Sequence, residues 1–160
     1  MPIGRYLAGI AALLWDPTTD KYLLLRRSTE KDFGAEMWEC VTGRVDQGEG
    51  YEEALHREVR EEINIEIQPE FLIATTHFYR GAPVPENELL GVMYGCTPIS
   101  LDGFRISAEH SEYRWMRAEE VYVMLPKGNW LRNIIERAEQ LKQHTPASLR
   151  QTFRDKGFAL

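Results

Sequence analysis

The chain has 160 residues, a formal net charge of −6 and a hydrophobic content of 43%. This acidic balance argues against a protein that wraps duplex nucleic acid, although a bound metal ion can mask charge where a small phosphorylated ligand binds. Residues 1–15 show neither the features of a signal peptide nor an apolar stretch long enough to span a bilayer. Cys40 and Cys96 stand apart in apolar sequence and are predicted to be reduced core residues. We therefore expect one cytoplasmic domain over residues 1–160, with no duplex nucleic-acid partner and no membrane association.

The first third of the chain has the composition of strands separated by turns. A nearly continuous apolar run at 6–15 predicts a buried strand, and turn-forming residues at 16–20 join it to a second strand at 22–25. A polar loop at 28–35 leads to a short strand at 38–42. A loop with three glycines follows at 43–50.

The rest of the chain mixes helices and strands without regular alternation. Apolar periodicity predicts helices at 50–63, 118–124 and 130–142, and a helical tail from about 145 to 160 with Thr145 as N-cap and Pro146 in its first turn. One or two strands are predicted at 65–79, interrupted near Gln68 and Pro69, and further strands at 89–96 and 113–116; the segments 81–88 and 98–110 are loops. This order predicts an α/β (α+β) fold in which helices flank a mixed sheet.

The predicted helix at 50–63 carries carboxylates where an amphipathic helix normally carries none. Its apolar arc, about 120° wide, is formed by Tyr51, Leu55, Val59 and Ile63. Glu62 falls inside that arc, Glu58 lies at its edge and Glu61 a little further round. Buried carboxylates need a cationic partner, which is either an arginine or a metal ion such as Mg²⁺ or Mn²⁺. The alternative is a solvated acidic face, which the helix alone does not exclude.

The loop before this helix supplies a specific spacing. Gly43 is followed by five residues, Glu49, seven residues and then the run Arg57-Glu58-Val59-Arg60-Glu61-Glu62-Ile63-Asn64-Ile65. This pattern resembles the Nudix box, Gly-x5-Glu-x7-Arg-Glu-aliphatic-x-Glu-Glu-x-Gly-aliphatic. The family's last glycine is Asn64 here, and asparagine is the usual substitute for glycine in the left-handed conformation. We therefore expect Asn64→Gly to be neutral or slightly stabilising.

The resemblance implies a Nudix-type α/β/α sandwich and a metal-dependent hydrolase that cleaves a phosphoanhydride bond in a nucleoside di- or triphosphate derivative. It assigns the binding of Mg²⁺ or Mn²⁺ to Glu58, Glu62, Glu61 and the backbone carbonyl of Gly43. Glu61 is either a metal ligand or the general base. Arg57 is expected to hold an acid in place through an ion pair with Glu49 or Glu61.

A second candidate for the general base lies on a later loop. Glu109 stands six residues ahead of a tryptophan, and several family members carry a similar glutamate at that distance. A carboxylate there can accept the proton of the attacking water. The alternative is an ordinary surface acid. The next residue, His110, is interpreted either as a substrate contact or as a hydrogen-bonded loop histidine.

Four further residues are predicted to bind substrate. Many family members have Pro-Gly-Gly entering the box, where this chain has Val41-Thr42-Gly43-Arg44. Arg44 can reach a phosphate or pair with a nearby acid. Arg27 can bind a phosphate or line a strand edge. Phe78 and Tyr79 can stack on a base, although aromatic residues more often belong to the core.

Substrate choice in the family depends on residues outside the box. The sequence favours a nucleoside triphosphate or a pterin triphosphate such as dihydroneopterin triphosphate, followed by a dinucleoside polyphosphate or ADP-ribose. A non-catalytic nucleotide-sensing module usually lacks one or more box acids, and an isoprenoid diphosphate isomerase would need a catalytic cysteine. Because all the box acids are present, a hydrolase is the favoured reading. Formation of a homodimer stays open.

Overall fold

A computed structural model of the chain describes residues 4–30 and 34–160. The first three residues of the N-terminal segment and the centre of the loop predicted at 28–35 lie outside the described residues. The described part contains β1 (Leu7–Asp16), β2 (Lys21–Arg27), β3 (Trp38–Glu39), β4 (Val41–Arg44), α1 (Tyr51–Ile63), β5 (Ile67–Tyr79), β6 (Glu88–Pro98), β7 (His110–Met116), α2 (Ala118–Met124), α3 (Trp130–His144) and α4 (Ala147–Lys156). None of these helices combines the length and the apolar character that a membrane crossing requires.

The strands form one mixed sheet built around β1. Strand β1 pairs in parallel with β6, with Ile10 opposite Val92, and antiparallel with β2 and β4. Strand β5 forms one edge through its antiparallel ladder with β6, whereas β3 and β7 both pair with β2. The mixed sheet predicted from the order of elements is confirmed.

Helices cover both faces of this sheet, because alternate side chains of β1 point in opposite directions. Ile10 and Ala12 pack in one core with the apolar arc of α1. Ala11 and Leu13 pack in the other core with α2 and α3. The molecule is therefore an α/β/α sandwich, as the resemblance implies. Within it, α1 packs against strands β4 and β1.

The prediction of a single strand at 38–42 is wrong, because this segment forms two short strands that pair with different partners in the sheet. Strand β3 pairs with β2, with Glu39 opposite Leu25, whereas β4 pairs with β1, with Val41 opposite Ala12. The ladder breaks at Cys40 between them. This change of partner brings the end of β4 next to α1, where the box begins.

The interruption predicted near Gln68 and Pro69 is an irregularity within one continuous strand. Strand β5 lies at an edge of the sheet, where the missing N–H of a proline is tolerated. Its register with β6 shifts between Pro69 and Phe71. The loop predicted at 81–88 contains a short 3-10 helix, Pro85–Asn87.

The last helix begins one residue later than predicted. Pro146 is the N-cap of α4, and Thr145 instead ends α3. Helix α4 is tied to the sheet through Arg154, whose Nε donates to both oxygens of the fully buried Glu70 at 3.1 Å. Thr97 Oγ1 donates to the same carboxylate at 3.0 Å.

Asn64 has the left-handed conformation predicted for it, with φ 57° and ψ 39°. The expectation that glycine would serve equally well omits a contact, because Asn64 Nδ2 donates a hydrogen bond to the carbonyl of Gly103 at 2.8 Å. We now expect Asn64→Gly to lower the free energy of unfolding by about 1 kcal/mol. Asn64→Ala should lower it by about 2 kcal/mol, since alanine also strains the left-handed backbone. Urea denaturation measures both values; a glycine variant as stable as the original protein would show that the bond to Gly103 adds nothing.

Candidate active site

Helix α1 carries its acids at different depths. Glu62 is 4% exposed, and the side chains of Glu58 and Glu61 are 15% and 59% exposed. This gradient follows from the helical wheel, because α1 turns the arc that contains Glu62 toward the sheet. The buried position of Glu62 is as predicted.

Gly43 of β4 makes room for the carboxyl group of Glu58. A Cβ atom at position 43 would overlap the carboxyl carbon of Glu58, so a side chain cannot be accommodated while Glu58 stays in place. The backbone N–H of Arg44 donates a hydrogen bond to this carboxylate. Burial raises the pKa of Glu58 above its usual range, and the hydrogen bond from Arg57 opposes that rise.

Arg57 joins the loop before α1 to the acids of the helix. Its Nε and Nη2 donate to the two oxygens of Glu49 at 2.8 and 2.9 Å, a bidentate pair that lowers the pKa of Glu49 to about 2. Its Nη1 donates to Glu58 at 2.8 Å and to Glu61 at 3.3 Å, and Nη2 also reaches the carbonyl of Arg44. Both predicted partners, Glu49 and Glu61, are therefore present. One guanidinium offsets the mutual repulsion of three carboxylates.

Glu58 and Glu62 open onto a cavity of about 510 Å³ beside the sheet. The same cavity is lined by five other residues singled out from the sequence: Arg27, Gly43, Arg44, Phe78 and Glu109. Carboxylates, arginines and an aromatic ring therefore share one space. Seven of the ten predicted site residues are brought together by the fold.

The other three predicted residues do not line the cavity. Arg57 lies behind Glu58, and Glu61 faces solvent. Tyr79 is excluded by the alternation of strand β5, in which Thr76 and Phe78 face the cavity and the intervening side chains face the other way. Tyr79 instead packs edge-on against His77, with ring centroids 5.7 Å apart. Tyr79 is therefore not placed to stack on a substrate in this cavity.

Glu39 was not predicted from the sequence, but it lines the cavity and is only 5% exposed. Its carboxylate accepts bonds from Arg27 Nη1 at 2.9 and 3.0 Å and from Thr42 Oγ1 at 3.3 Å. His110 Nε2 is 3.0 Å from the same group. Glu39 could have been predicted from the sequence, because a single glutamate inside a buried strand needs a cationic or hydrogen-bonding partner, as Glu62 does in its helix. His110 is a hydrogen-bonded residue, as one interpretation held, but it begins β7 instead of lying in a loop.

The donor set of the cavity fits a hard divalent cation. Within residues 4–30 and 34–160, no three Asp, Glu, His or Cys side chains are already gathered around one point. Mg²⁺ does not require such a cluster, because it usually keeps several waters and binds through one or two carboxylates and substrate phosphates. Glu58 and Glu62 supply two carboxylates, and the space that Gly43 leaves open keeps Glu58 beside the backbone.

One part of the cavity is lined mainly by apolar side chains. Gly9 of β1 lies directly opposite Gly91 of β6, and the side chains of Leu89 and Thr76 fill the space over these two glycines. Phe78, Met93 and Trp130 also line this part of the cavity. A flat heteroaromatic ring can therefore pack against apolar and aromatic side chains in this part of the cavity.

Comparison with known proteins places this sequence in a family and finds curated relatives. The profile of the NUDIX domain family matches residues 5–138. The chain is 28% identical over 119 residues to the dihydroneopterin triphosphate diphosphatase of Escherichia coli K12, covering 68% of this chain and 77% of the relative. It is 28% identical over 107 residues to the nucleoside triphosphatase NudI of Escherichia coli O81, covering 62% and 75%.

Among solved structures, the MutT protein from Methanosarcina mazei Go1 superposes with a TM-score of 0.71 at 24% identity. The match covers 89% of this chain and 99% of that protein, which shows a shared fold. The family profile spans most of the chain, including the whole box and Glu109. The chain therefore belongs to the NUDIX domain family.

Proposed function

We propose that this protein hydrolyses a phosphoanhydride bond in a nucleoside triphosphate or a pterin triphosphate, with Mg²⁺ or Mn²⁺ as cofactor. Membership of the family makes it an enzyme that acts on pyrophosphate bonds. The observation that carries the proposed substrate is the cavity, in which two box carboxylates share a space with arginines and the aromatic side chains of Phe78 and Trp130. The named activities of the two curated relatives support the same class of substrate.

Glu58 and Glu62 are the proposed metal ligands, assisted by the carbonyl of Gly43. A bound divalent ion would neutralise phosphate charge and activate water. Arg57 keeps Glu58 in place and offsets the repulsion between the acids. Glu61, which faces solvent and pairs with Arg57 at 3.3 Å, acts in this scheme by steadying Arg57.

Glu109 is the proposed general base. It lines the cavity together with Glu58 and Glu62, whereas Glu61 does not. In the reaction a water oxygen bonds to one phosphorus, its proton passes to a carboxylate, and the bridging P–O bond breaks. Arg44 and Arg27 lie on the same cavity and are the proposed contacts for the phosphate oxygens.

The ring of the substrate is proposed to lie against Phe78 and Trp130, which both line the cavity. Stacking of a base on an aromatic side chain is worth about 1–3 kcal/mol and tolerates different rings. Such stacking predicts a preference for triphosphates that carry a flat ring. It favours both nucleosides and pterins over substrates without a ring.

The test is a steady-state comparison of ring-bearing and ring-free substrates. We expect kcat/KM for nucleoside or dihydroneopterin triphosphate to exceed that for inorganic tripolyphosphate, and Trp130→Ala to lower only the former, by roughly 10-fold. Dinucleoside polyphosphates and ADP-ribose belong in the same screen as rival substrates. Equal loss on tripolyphosphate in Trp130→Ala would argue against the ring site, and faster turnover of ADP-ribose would replace the proposed substrate.

We also propose that the protein works as one domain in the cytoplasm. Residues 139–160 extend past the family match, but Arg154 is bound to buried Glu70 and the backbone N–H of Phe158 donates to Glu52 of α1. Cys40 and Cys96 are both free and buried. Burial raises the pKa of each thiol, which keeps it protonated and unreactive in a reducing compartment.

A further inference from the structure

A buried cluster at the wall of the cavity joins three neighbouring strands. Glu39 of β3 accepts from Arg27 of β2 and lies 3.0 Å from Nε2 of His110, the first residue of β7. The side chains of Glu39 and His110 are 7% and 1% exposed. Because Glu39 is a carboxylate held by an arginine, the imidazole is the donor in the bond between them.

A bulge in β7 is what turns His110 inward. Arg26 of β2 lies opposite Glu112, but Arg27 lies opposite His110, so Ser111 is an extra residue on β7. In a regular ladder without the bulge, Ser111 would lie opposite Arg27, and the side chain of His110 would point to the other face of the sheet. Bulges occur preferentially beside active sites because they redirect a side chain in this way.

His110 stands between Glu39 and the box. Its Nε2 is 3.8 Å from Glu62 Oε2, so the imidazole is packed against the most deeply buried acid of α1. The backbone makes the same connection, since Ser107 N–H donates to the carbonyl of Glu62 and His110 N–H donates to the carbonyl of Ser107. Glu109, which lines the cavity, is the adjoining residue.

We propose that Glu39 and His110 are positioning residues that hold Glu62 and Glu109 in the arrangement needed for metal binding and turnover. The inference rests on the proposed function of the box. Glu39 fixes the imidazole, and the imidazole limits where the Glu62 carboxylate can lie. It also anchors the start of β7, and with it the neighbouring Glu109. Neither residue needs to touch substrate for this role.

Removing such a support changes the site more than the fold. Partners that orient metal ligands typically contribute 10- to 100-fold to metal affinity or activity. His110→Ala is therefore expected to lower kcat by about 10- to 100-fold with KM changed less than about threefold. Mn²⁺ affinity in the absence of substrate, measured by electron paramagnetic resonance, should fall by about 10-fold.

Two conservative variants separate positioning from packing. His110→Gln keeps an N–H donor at the same distance along the side chain and should recover much of the Mn²⁺ affinity and kcat. Glu39→Gln keeps the shape of the side chain but loses its charge, and should impair both quantities as His110→Ala does. This second variant preserves the packing if His110→Ala fails to fold. His77→Ala is the matched control, because His77 forms a 2.9 Å pair with Glu88 away from the cavity.

The outcomes are distinct from those that test the proposed function. The inference is supported if His110→Ala and Glu39→Gln lose Mn²⁺ affinity and kcat, His110→Gln recovers them, and His77→Ala matches the original protein. It is overturned if His110→Ala and Glu39→Gln stay within about twofold of the original protein in both quantities. A glutamine variant as impaired in kcat as the alanine variant, with normal Mn²⁺ affinity in both, would also overturn it. If the original protein shows no turnover at all, Mn²⁺ affinity alone decides the matter.

Discussion

Replacement of Glu62 by glutamine is expected to lower kcat by at least about 100-fold, because Glu62 is a proposed ligand of the metal ion that would stabilise the charge on the reacting phosphates, and such stabilisation contributes several kcal/mol to the transition state. Glu62 is 4% exposed and lines the cavity, so its charge acts in a poorly solvated place. Glutamine has nearly the same shape and leaves the packing of α1 intact. Steady-state kinetics and thermal melting of the same sample separate the two effects.

Glu66→Gln is the matched control for this substitution. Glu66 follows α1 closely in sequence, is exposed, and pairs with Arg60 outside the cavity. It should retain full turnover. Near-normal kcat in Glu62→Gln, measured beside that control, would remove Glu62 from the proposed metal site.

Replacement of Gly43 by alanine should have an effect of the same order for a steric reason. The added methyl group would overlap the Glu58 carboxyl group, which must then leave its position beside β4. A misplacement of about 1 Å in a catalytic group can lower turnover by about 100-fold. We expect that loss in kcat, together with weaker Mn²⁺ binding.

Gly50→Ala provides the comparison within the same loop. Gly50 has φ −85°, and a methyl group there would meet its nearest neighbour, Glu53 Oε2, at 3.5 Å, an ordinary contact. This variant should keep its activity. Unchanged turnover in Gly43→Ala would mean that Glu58 does not occupy the place beside β4 during catalysis.

Much of the fold could be predicted because each element carries a local signal. The apolar run of β1, the periodicity of α1 and α3 and the turn residues between β1 and β2 all depend on neighbours in sequence. The split between β3 and β4 has no such signal. It arises because Glu39 and Val41 pair with different strands, and strand partners are chosen by tertiary packing.

The same distinction explains which site residues could be predicted. Glu58 and Glu62 lie four residues apart in one helix, so their proximity could be predicted from their spacing in the sequence. Glu39 and His110 are 71 positions apart and meet only through the bulge in β7. Tyr79 was predicted to bind substrate from its aromatic ring alone, but the alternation of side chains along β5 places Phe78 in the cavity and Tyr79 on the other face.

The most direct test of the proposed function is to follow dihydroneopterin triphosphate and nucleoside triphosphates by ³¹P NMR, with Mg²⁺ and then with excess chelator. We expect the triphosphate signals to disappear with Mg²⁺, to be replaced by a monophosphate and pyrophosphate or by a diphosphate and phosphate, and to persist with chelator. Intact triphosphate in the presence of Mg²⁺, from a protein that still binds it, would contradict hydrolysis and indicate a nucleotide-sensing module.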